Sequence, residues 1–197
     1  MASAAGPKIV GPHDGKAGSL GSIGVRFILD AEAGGRFSLV EHPMPPRHLA
    51  APLHKHRHED EYSFVLEGRM GALLGDDVVY AEVGDLVAKP RDQWHTFWNA
   101  GDKPCRILEI ISPAGFEKYF EELVDAIAIG PIDPDARREI AARYGLETQP
   151  DSIPKLCQRF GLEFGPPTAH PRQAGRASPR VARAGHSGTR RTQRQHP

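Results

Sequence analysis

Residues 52–68, PLHKHRHEDEYSFVLEG, contain three histidines and four carboxylates, side chains that commonly bind metal ions. His54 and His56 are two positions apart, so they point to one face of a β-strand, as would His58 if the strand continued unbroken. Two imidazoles on one face form half of a metal site. Glu61 has the opposite parity, and it can join them only if a turn or bulge interrupts the strand within the charged segment RHED.

A fourth candidate ligand, His95, lies in the apolar and aromatic run GDLVAKPRDQWHTFWN. A single histidine in such a run is usually a hydrogen-bonded core residue. Several unpaired imidazoles and a carboxylate on inward-facing strands would, however, cost several kcal/mol to bury. A divalent transition-metal ion would satisfy all of them, so the four residues together predict a metal site.

Short runs rich in β-forming residues are separated by Gly, Asp and Pro along the first two thirds of the chain. They occupy residues 24–30, 35–42, 61–68, 69–75, 76–85, 94–102 and 105–112. This spacing is typical of an all-β sandwich or barrel, and no alternation of strands and helices indicates a parallel sheet. Gly18, Gly21 and Gly24 are interpreted as a flexible lead-in to the first strand.

After Ser112 the apolar residues recur at helical spacing. We predict a first helix with Ser112 as N-cap and Pro113 in its first position, a second over 134–144 capped by Asp133, and a third over 153–160. Gly145 and Gly161 follow the second and third helices, where a left-handed residue often ends a helix. About seven residues join these two helices, too many for a DNA-binding helix-turn-helix, so we expect them to pack on the barrel or a second subunit.

The 197 residues are enough for one domain, and no run approaches the length of a membrane span. The first residues lack the apolar core of a secretory signal, and two cysteines cannot form a disulfide framework, so we expect a cytoplasmic protein. Residues 165–197 hold seven arginines and no acidic residue, which leaves a formal charge of −7 on residues 1–164. This tail has almost nothing to bury and is predicted to be disordered. It has no aromatic residue to stack on bases, so we do not expect it to bind nucleic acid.

Both candidate stretches resemble the paired motifs of the cupin superfamily. The first motif, G(x)5HxH(x)3-4E(x)6G, is matched by His54, His56, Glu61 and Gly68, with His48 in place of its leading glycine. The second, G(x)5PxG(x)2H(x)3N, is matched by Gly84, Pro90, His95 and Asn99, with Asp92 in place of its second glycine. The segments EDEYSFVLEG and SPAGFEKYFEEL further resemble the quercetin dioxygenase-like branch of single-domain cupins.

The resemblance implies an antiparallel jelly-roll β-barrel in which His54, His56, Glu61 and His95 hold one divalent ion. The ion can be Fe, Mn, Co, Ni, Cu or Zn, since the ligand types do not choose among these metals. Cupin spacing leaves His58 at the rim, where Glu59 and Asp60 would also face solvent. In this interpretation residues 1–20 are a flexible N-terminus, 21–130 the barrel with its following helix, 131–164 a helical extension and 165–197 the disordered tail.

Side-chain parity predicts the lining of the pocket beside the ion. Ser63 and Val65 share the parity of Glu61, and Phe97 shares that of His95, so these three should face inward. Trp94 and Trp98 should lie on the opposite face, packed under a helix or in a dimer interface.

The resemblance implies a metal-dependent dioxygenase acting on a flavonol-like or related enediol substrate. Four protein ligands on an octahedral ion leave two positions, enough for a substrate oxygen and dioxygen. Glu61 would be both a ligand and the general base that accepts the proton of the incoming hydroxyl. Two alternatives stay open: another cupin enzyme, such as a decarboxylase or isomerase that uses the ion as a Lewis acid, or a non-catalytic ligand-binding protein. The expected partners are a small-molecule substrate, dioxygen and a second copy of the chain.

Overall fold

The computed structural model describes residues 9–166. Its strands are β1 (Ala17–Ser19), β2 (Gly24–Leu29), β3 (Ser38–Met44), β4 (Leu53–His56), β5 (Asp60–Glu67), β6 (Arg69–Leu74), β7 (Asp77–Glu82), β8 (Leu86–Lys89), β9 (His95–Asn99), β10 (Cys105–Ser112) and β11 (Leu146–Gln149). Its helices are α1 (Ala31–Gly34), α2 (Glu117–Ile129), α3 (Pro134–Arg143) and α4 (Ser152–Phe160). No helix within residues 9–166 is long and apolar enough to cross a membrane.

The strands form two antiparallel sheets. One has six strands in the order β1-β2-β3-β10-β5-β8, and the other has five in the order β11-β4-β9-β6-β7. Neighbours in these sheets are mostly distant in the chain, as in a jelly roll, and the predicted all-β fold with C-terminal helices is confirmed.

Strand β10 shows how the sequence period builds the interior. Its residues alternate between fully buried and more exposed positions, which places Ile107, Glu109 and Ile111 on the inner face. Ile107 joins an apolar cluster with Val65, Met70 and other side chains. Burying each large aliphatic side chain stabilises the fold by roughly 1.5–3 kcal/mol. The cluster therefore helps to hold the strands that contribute to it in register.

The first C-terminal helix begins later than predicted. Ser112 is not its N-cap but the last residue of β10, where it pairs with Asp60 and is held in extended conformation. The Ser112–Pro113 peptide is cis, and helix α2 begins only at Glu117. Strand pairing of Ser112 therefore outweighs its local preference for capping.

The other two predicted helices are confirmed. The Asp133 carboxylate accepts hydrogen bonds from the first turn of α3, and Gly145 and Gly161 both have positive φ just after their helices. Helix α4 packs on the barrel, where Phe160 stacks on Trp98 at 4.3 Å between ring centroids. Trp98 thus lies under a helix, one of the two positions predicted for it.

Three strands were missed. β11 lies in the segment predicted as a simple connection, and it pairs with β4 so that Thr148 is opposite His54. β8 begins at Leu86, directly after a run that was predicted to end at Asp85. β1, which pairs with β2, lies within the residues 1–20 that were predicted to be an N-terminal segment without a strand. The predicted disordered tail lies outside the described residues from position 167 onward.

Candidate metal centre

Three strands bring the four predicted ligands together: His54 and His56 lie on β4, Glu61 on β5 and His95 on β9. One possible ligand atom from each lies within 4.8 Å of the others. β4 and β9 are neighbours with His54 opposite His95, whereas β5 belongs to the other sheet. The chain crosses between the sheets through residues 57–59, and this break changes the parity of Glu61 as the sequence required.

Backbone carbonyl groups orient two of the imidazoles. His54 Nδ1 lies 2.8 Å from the Pro52 oxygen, and His95 Nδ1 lies 3.0 Å from the Gln93 oxygen. Because each Nδ1–H donates to a carbonyl oxygen, each Nε2 keeps its lone pair for a ligand. The same arrangement is general for metal-binding histidines, whose second nitrogen is held by a hydrogen bond.

The remaining nitrogens test whether a metal ion fits. His56 Nε2 and His95 Nε2 are buried and have no hydrogen-bond partner within residues 9–166. They lie 3.5 Å and 3.4 Å from the same atom, Glu61 Oε2, too far for good hydrogen bonds. Buried nitrogens without partners cost about 1–3 kcal/mol each, which bonds to one ion would offset. The four residues therefore fit a divalent transition-metal ion, whose identity they do not decide.

The side chain of Glu59 is buried, whereas it was predicted to face solvent. Its Oε2 lies 3.8 Å from His56 Nδ1, and neither atom has a hydrogen bond in the described part of the chain. A carboxylate that accepts a hydrogen bond from the outer nitrogen of a ligand histidine holds its ring in place, and Glu59 lies on that side of His56. His58 is exposed as predicted, and Asp60 is half-buried and paired with Arg91.

Two charged residues of the interior were missed, Lys89 on β8 and Glu109 on β10. Lys89 Nζ donates to Glu61 Oε2 at 2.9 Å and to Glu109 Oε2 at 2.8 Å, and Ser63 Oγ also donates to Glu109 Oε2 at 2.8 Å. Each charged residue occupies an inward position of an alternating apolar strand, next to Val87 or Ile107. A charged residue at an inward position of an apolar strand is the signal in the sequence that could have identified Lys89 and Glu109, because a buried charge needs a partner.

Burial and neighbouring charges fix the protonation of this network. Burial alone would raise the pKa of Glu61, but its neighbours His56 and Lys89 lower it well below the usual value. Burial raises the pKa of Glu109 to about 7, although Lys89 opposes the change. Burial also lowers the pKa of His54 and of His95, so both are neutral, as ligands must be.

A cavity of about 820 Å³ reaches the candidate metal centre. His54, His56 and Glu61 contribute to its polar end together with Glu109 and His42. Much of its apolar wall comes from the start of α2 and includes Phe116, Tyr119, Phe120 and Leu123. Since Phe116 contacts the His56 ring edge-on at 4.3 Å, the aromatic wall meets the candidate ligands directly.

The three residues predicted to line the pocket occupy different positions. Phe97 lines the cavity, with Lys89 Nζ 4.5 Å from its ring centroid. Ser63 and Val65 point inward but are fully buried and are not among the residues lining the cavity. Ser63 instead holds Glu109, and Val65 belongs to the apolar core, so the parity argument found the correct face of β5 but not its exposure to the cavity.

Asp92 explains why a missing motif glycine does not disturb the centre. It has a φ of 60°, in the left-handed region that glycine adopts easily and that Asp tolerates better than most residues. Its backbone N–H donates to the carbonyl oxygen of His56 at 2.8 Å. The turn is therefore kept, and it ties the loop before β9 to the strand that carries two candidate ligands.

The jelly roll and its clustered histidines agree with a comparison against known protein families. Residues 41–111 match the cupin domain. The matched segment runs from β3 to β10 and includes all four candidate ligands as well as Lys89 and Glu109. The predicted resemblance to cupins is thus supported, whereas the quercetin dioxygenase-like branch stays a prediction.

Several solved structures are similar to the chain in fold. KdgF from a Halomonas species is 13% identical, with a TM-score of 0.51 over 57% of this chain and 98% of KdgF. A predicted oxalate decarboxylase from Thermotoga maritima is 22% identical, with a TM-score of 0.44 over 46% of this chain and 80% of its own. A sugar phosphate isomerase from Silicibacter pomeroyi is 23% identical, with a TM-score of 0.46 over 54% of this chain and 75% of the isomerase. These similarities concern the fold alone, and no curated protein matches the sequence.

Proposed function

We propose that this cupin protein is a metal-dependent enzyme acting on a small molecule with an apolar ring and neighbouring oxygen atoms, by dioxygenation of a flavonol-like or related enediol substrate. The observation that carries the proposal is the candidate four-residue metal centre at the polar end of a largely apolar cavity with an aromatic wall. Such cavities, apolar with a few convergent polar groups, are typical of sites for small molecules.

The residues divide into ligands and supports. His54, His56, His95 and Glu61 would hold the ion, which when bound supplies a positive charge that polarises substrate oxygen atoms and can serve reactions with dioxygen. Lys89 fixes the carboxylate of Glu61 through a 2.9 Å hydrogen bond. The aromatic wall would stack on a substrate ring and exclude water from it.

The aromatic wall favours an aromatic substrate over a sugar. Phe116 and Phe120 lie edge-on to one another with 5.2 Å between ring centroids, and the Tyr119 ring is 5.0 Å from that of Phe116, so a planar substrate would meet an apolar aromatic surface there. A sugar would leave many hydroxyl groups without partners along this wall. The role of Glu61 as general base stays a prediction, and the ammonium group of Lys89 weakens its basicity.

A second candidate reaction, decarboxylation or isomerisation with the ion as Lewis acid, is favoured by one further observation. The buried charges Glu61, Lys89 and Glu109 lie beside the candidate centre, and Glu109, whose pKa burial raises to about 7, would carry a proton in such a reaction. Reactions of this kind need a polarised oxygen and a proton carrier, and no dioxygen.

Oxygen uptake separates these possibilities. The protein is stripped with a chelator, reloaded separately with each of the six metals, checked for metal content and assayed with flavonols, catechols, oxalate and sugar derivatives. Oxygen uptake equal to substrate loss, absent in His95→Ala, would support dioxygenation. Substrate loss without oxygen uptake would select the Lewis-acid reaction, and binding without turnover for every metal would indicate a ligand-binding protein. If the protein bound none of the six metals, the proposal would be refuted.

A further inference from the structure

Glu109 lines the cavity, and one oxygen atom of its carboxylate has no hydrogen-bond partner in the described part of the chain. Its side chain is 1% exposed and lines the polar end of the cavity beside the candidate metal centre. Oε2 accepts hydrogen bonds from Lys89 and Ser63, both at 2.8 Å, whereas Oε1 has no partner in the part of the chain that the structure describes. Leaving a buried carboxylate oxygen unpaired is costly, so a ligand that donates a hydrogen bond there would bind favourably.

The position of Glu109 relative to the candidate ligands makes it available to the same molecule. Glu109 and Glu61 are separated by a single ammonium group, because Lys89 Nζ contacts one oxygen of each carboxylate. Glu61, His54 and Glu109 all line one cavity. A small molecule that fills its polar end therefore lies beside both the candidate metal ligands and Glu109.

The groups that face Glu109 leave it suited to accept a proton. Lys89 on β8 and Glu61 on β5 form the charged side of its surroundings, and His42 on β3 lines the same cavity. Burial lowers the pKa of His42 to about 4, so it is neutral at pH 7. Burial raises the pKa of Glu109 to about 7, which makes this carboxylate a far better base than an exposed glutamate.

We propose that Glu109 is a catalytic residue of this cavity, whose Oε1 accepts the proton of a hydroxyl group on a small aromatic or enediol substrate. The inference rests on the proposed function and assigns the base role to Glu109 in place of Glu61. The substrate O–H bond breaks, its electron pair stays on the substrate oxygen, and a new O–H bond forms on Glu109 Oε1. No oxidant is needed for this step, and the carboxylic acid returns the proton when product leaves.

The test follows protons in a coloured probe, 4-nitrocatechol, bound to the zinc-loaded full chain and to the metal-free chain at pH 8. Calorimetry in buffers of different ionisation enthalpy counts the protons released on binding. In wild type we expect the proton from the probe's hydroxyl group to stay on Glu109, so that it is not released to the buffer. In Glu109→Gln we expect about one more proton released per bound probe and roughly tenfold weaker binding, the usual effect of losing a charged hydrogen bond. Glu67→Gln, which alters an exposed carboxylate paired with Arg106, should match wild type.

Equal proton release by wild type and Glu109→Gln, with equal zinc content, would overturn the inference, as would failure of wild type to bind the probe. If Glu109→Gln does not fold, Ser63→Ala provides the test, because it keeps the carboxylate and removes one hydrogen bond that lowers its pKa. The pH midpoint of probe binding should then move upward, and an unchanged midpoint would contradict the role. Zinc content and oxygen uptake report the proposed function separately, so its failure is distinguishable from that of Glu109.

Discussion

Replacing Lys89 with methionine should strongly destabilise the metal-free protein at pH 8. The ammonium group is fully buried and lies 2.9 Å from Glu61 Oε2 and 2.8 Å from Glu109 Oε2. Each contact is worth about 6 kcal/mol at an effective dielectric constant of about 20. Desolvation of the three groups offsets much of this, and removing one partner of such a buried group typically costs about 3–5 kcal/mol because the remaining charge is uncompensated.

The expected loss depends on pH with a definite sign. Burial raises the folded-state pKa of Glu109 to about 7, and removing the ammonium group, which opposes this shift, should raise it further above the unfolded value. The folded variant then binds protons more tightly than the unfolded chain. Its stability therefore falls as pH rises from the unfolded-state pKa to the folded-state pKa, and it recovers as pH falls. We therefore expect the difference from wild type to shrink between pH 8 and pH 5.

Urea unfolding of the chelator-treated proteins measures these free energies, and thermal unfolding should show a midpoint lowered by roughly 6–20 °C. Arg69→Met is the matched control, because Arg69 pairs with Glu82 in an exposed ion pair worth less than about 1 kcal/mol. The double variant Lys89→Met/Glu109→Gln removes one of the two stranded carboxylates and should recover part of the loss. A loss below about 1 kcal/mol at pH 8, or one that does not change with pH, would refute the reasoning.

Three further predictions concern the metal centre and the helical cover. His95→Ala should release the bound ion while His58→Ala keeps it, as elemental analysis of the purified variants would show; retention of the full metal content in His95→Ala would sink the four-ligand site. Glu59→Ala should lower metal affinity roughly 10–100-fold in competition with a chelating dye, because His56 loses its nearest outer carboxylate, and unchanged affinity would rule out this support. Trp98→Ala should cost about 3–5 kcal/mol in urea unfolding, because it leaves a large cavity beneath Phe160; a loss near zero would mean that α4 does not need this contact.

The sequence by itself was sufficient wherever structure depends on residues a few positions apart. Strand parity put His54 and His56 on one face, and the opposite parity of Glu61 required the break that the structure contains at residues 57–59. The cap at Asp133 and the left-handed Gly161 were equally readable, since a helix end is made by its own neighbouring residues.

Local preference failed where distant strands compete for the same residue. Ser112 was predicted to cap a helix, but pairing with Asp60 keeps it in β10. β11 carries no alternating apolar pattern, and it forms because its backbone groups pair with the edge of β4. Glu59 looked like a solvent-facing charge and is buried next to His56 instead. In each case the deciding partner lies on another element, whose position no local pattern contains.

The interior charges show the same division most clearly. The alternation of β8 and β10 determined that Lys89 and Glu109 point inward, because backbone geometry sets that period residue by residue. Only the tertiary structure decided that Lys89 meets Glu61, 28 residues earlier, and Glu109, 20 residues later. A buried charge is stable only when its partner is brought within hydrogen-bond distance, and that distance is set by the packing of two sheets rather than by neighbours in the chain.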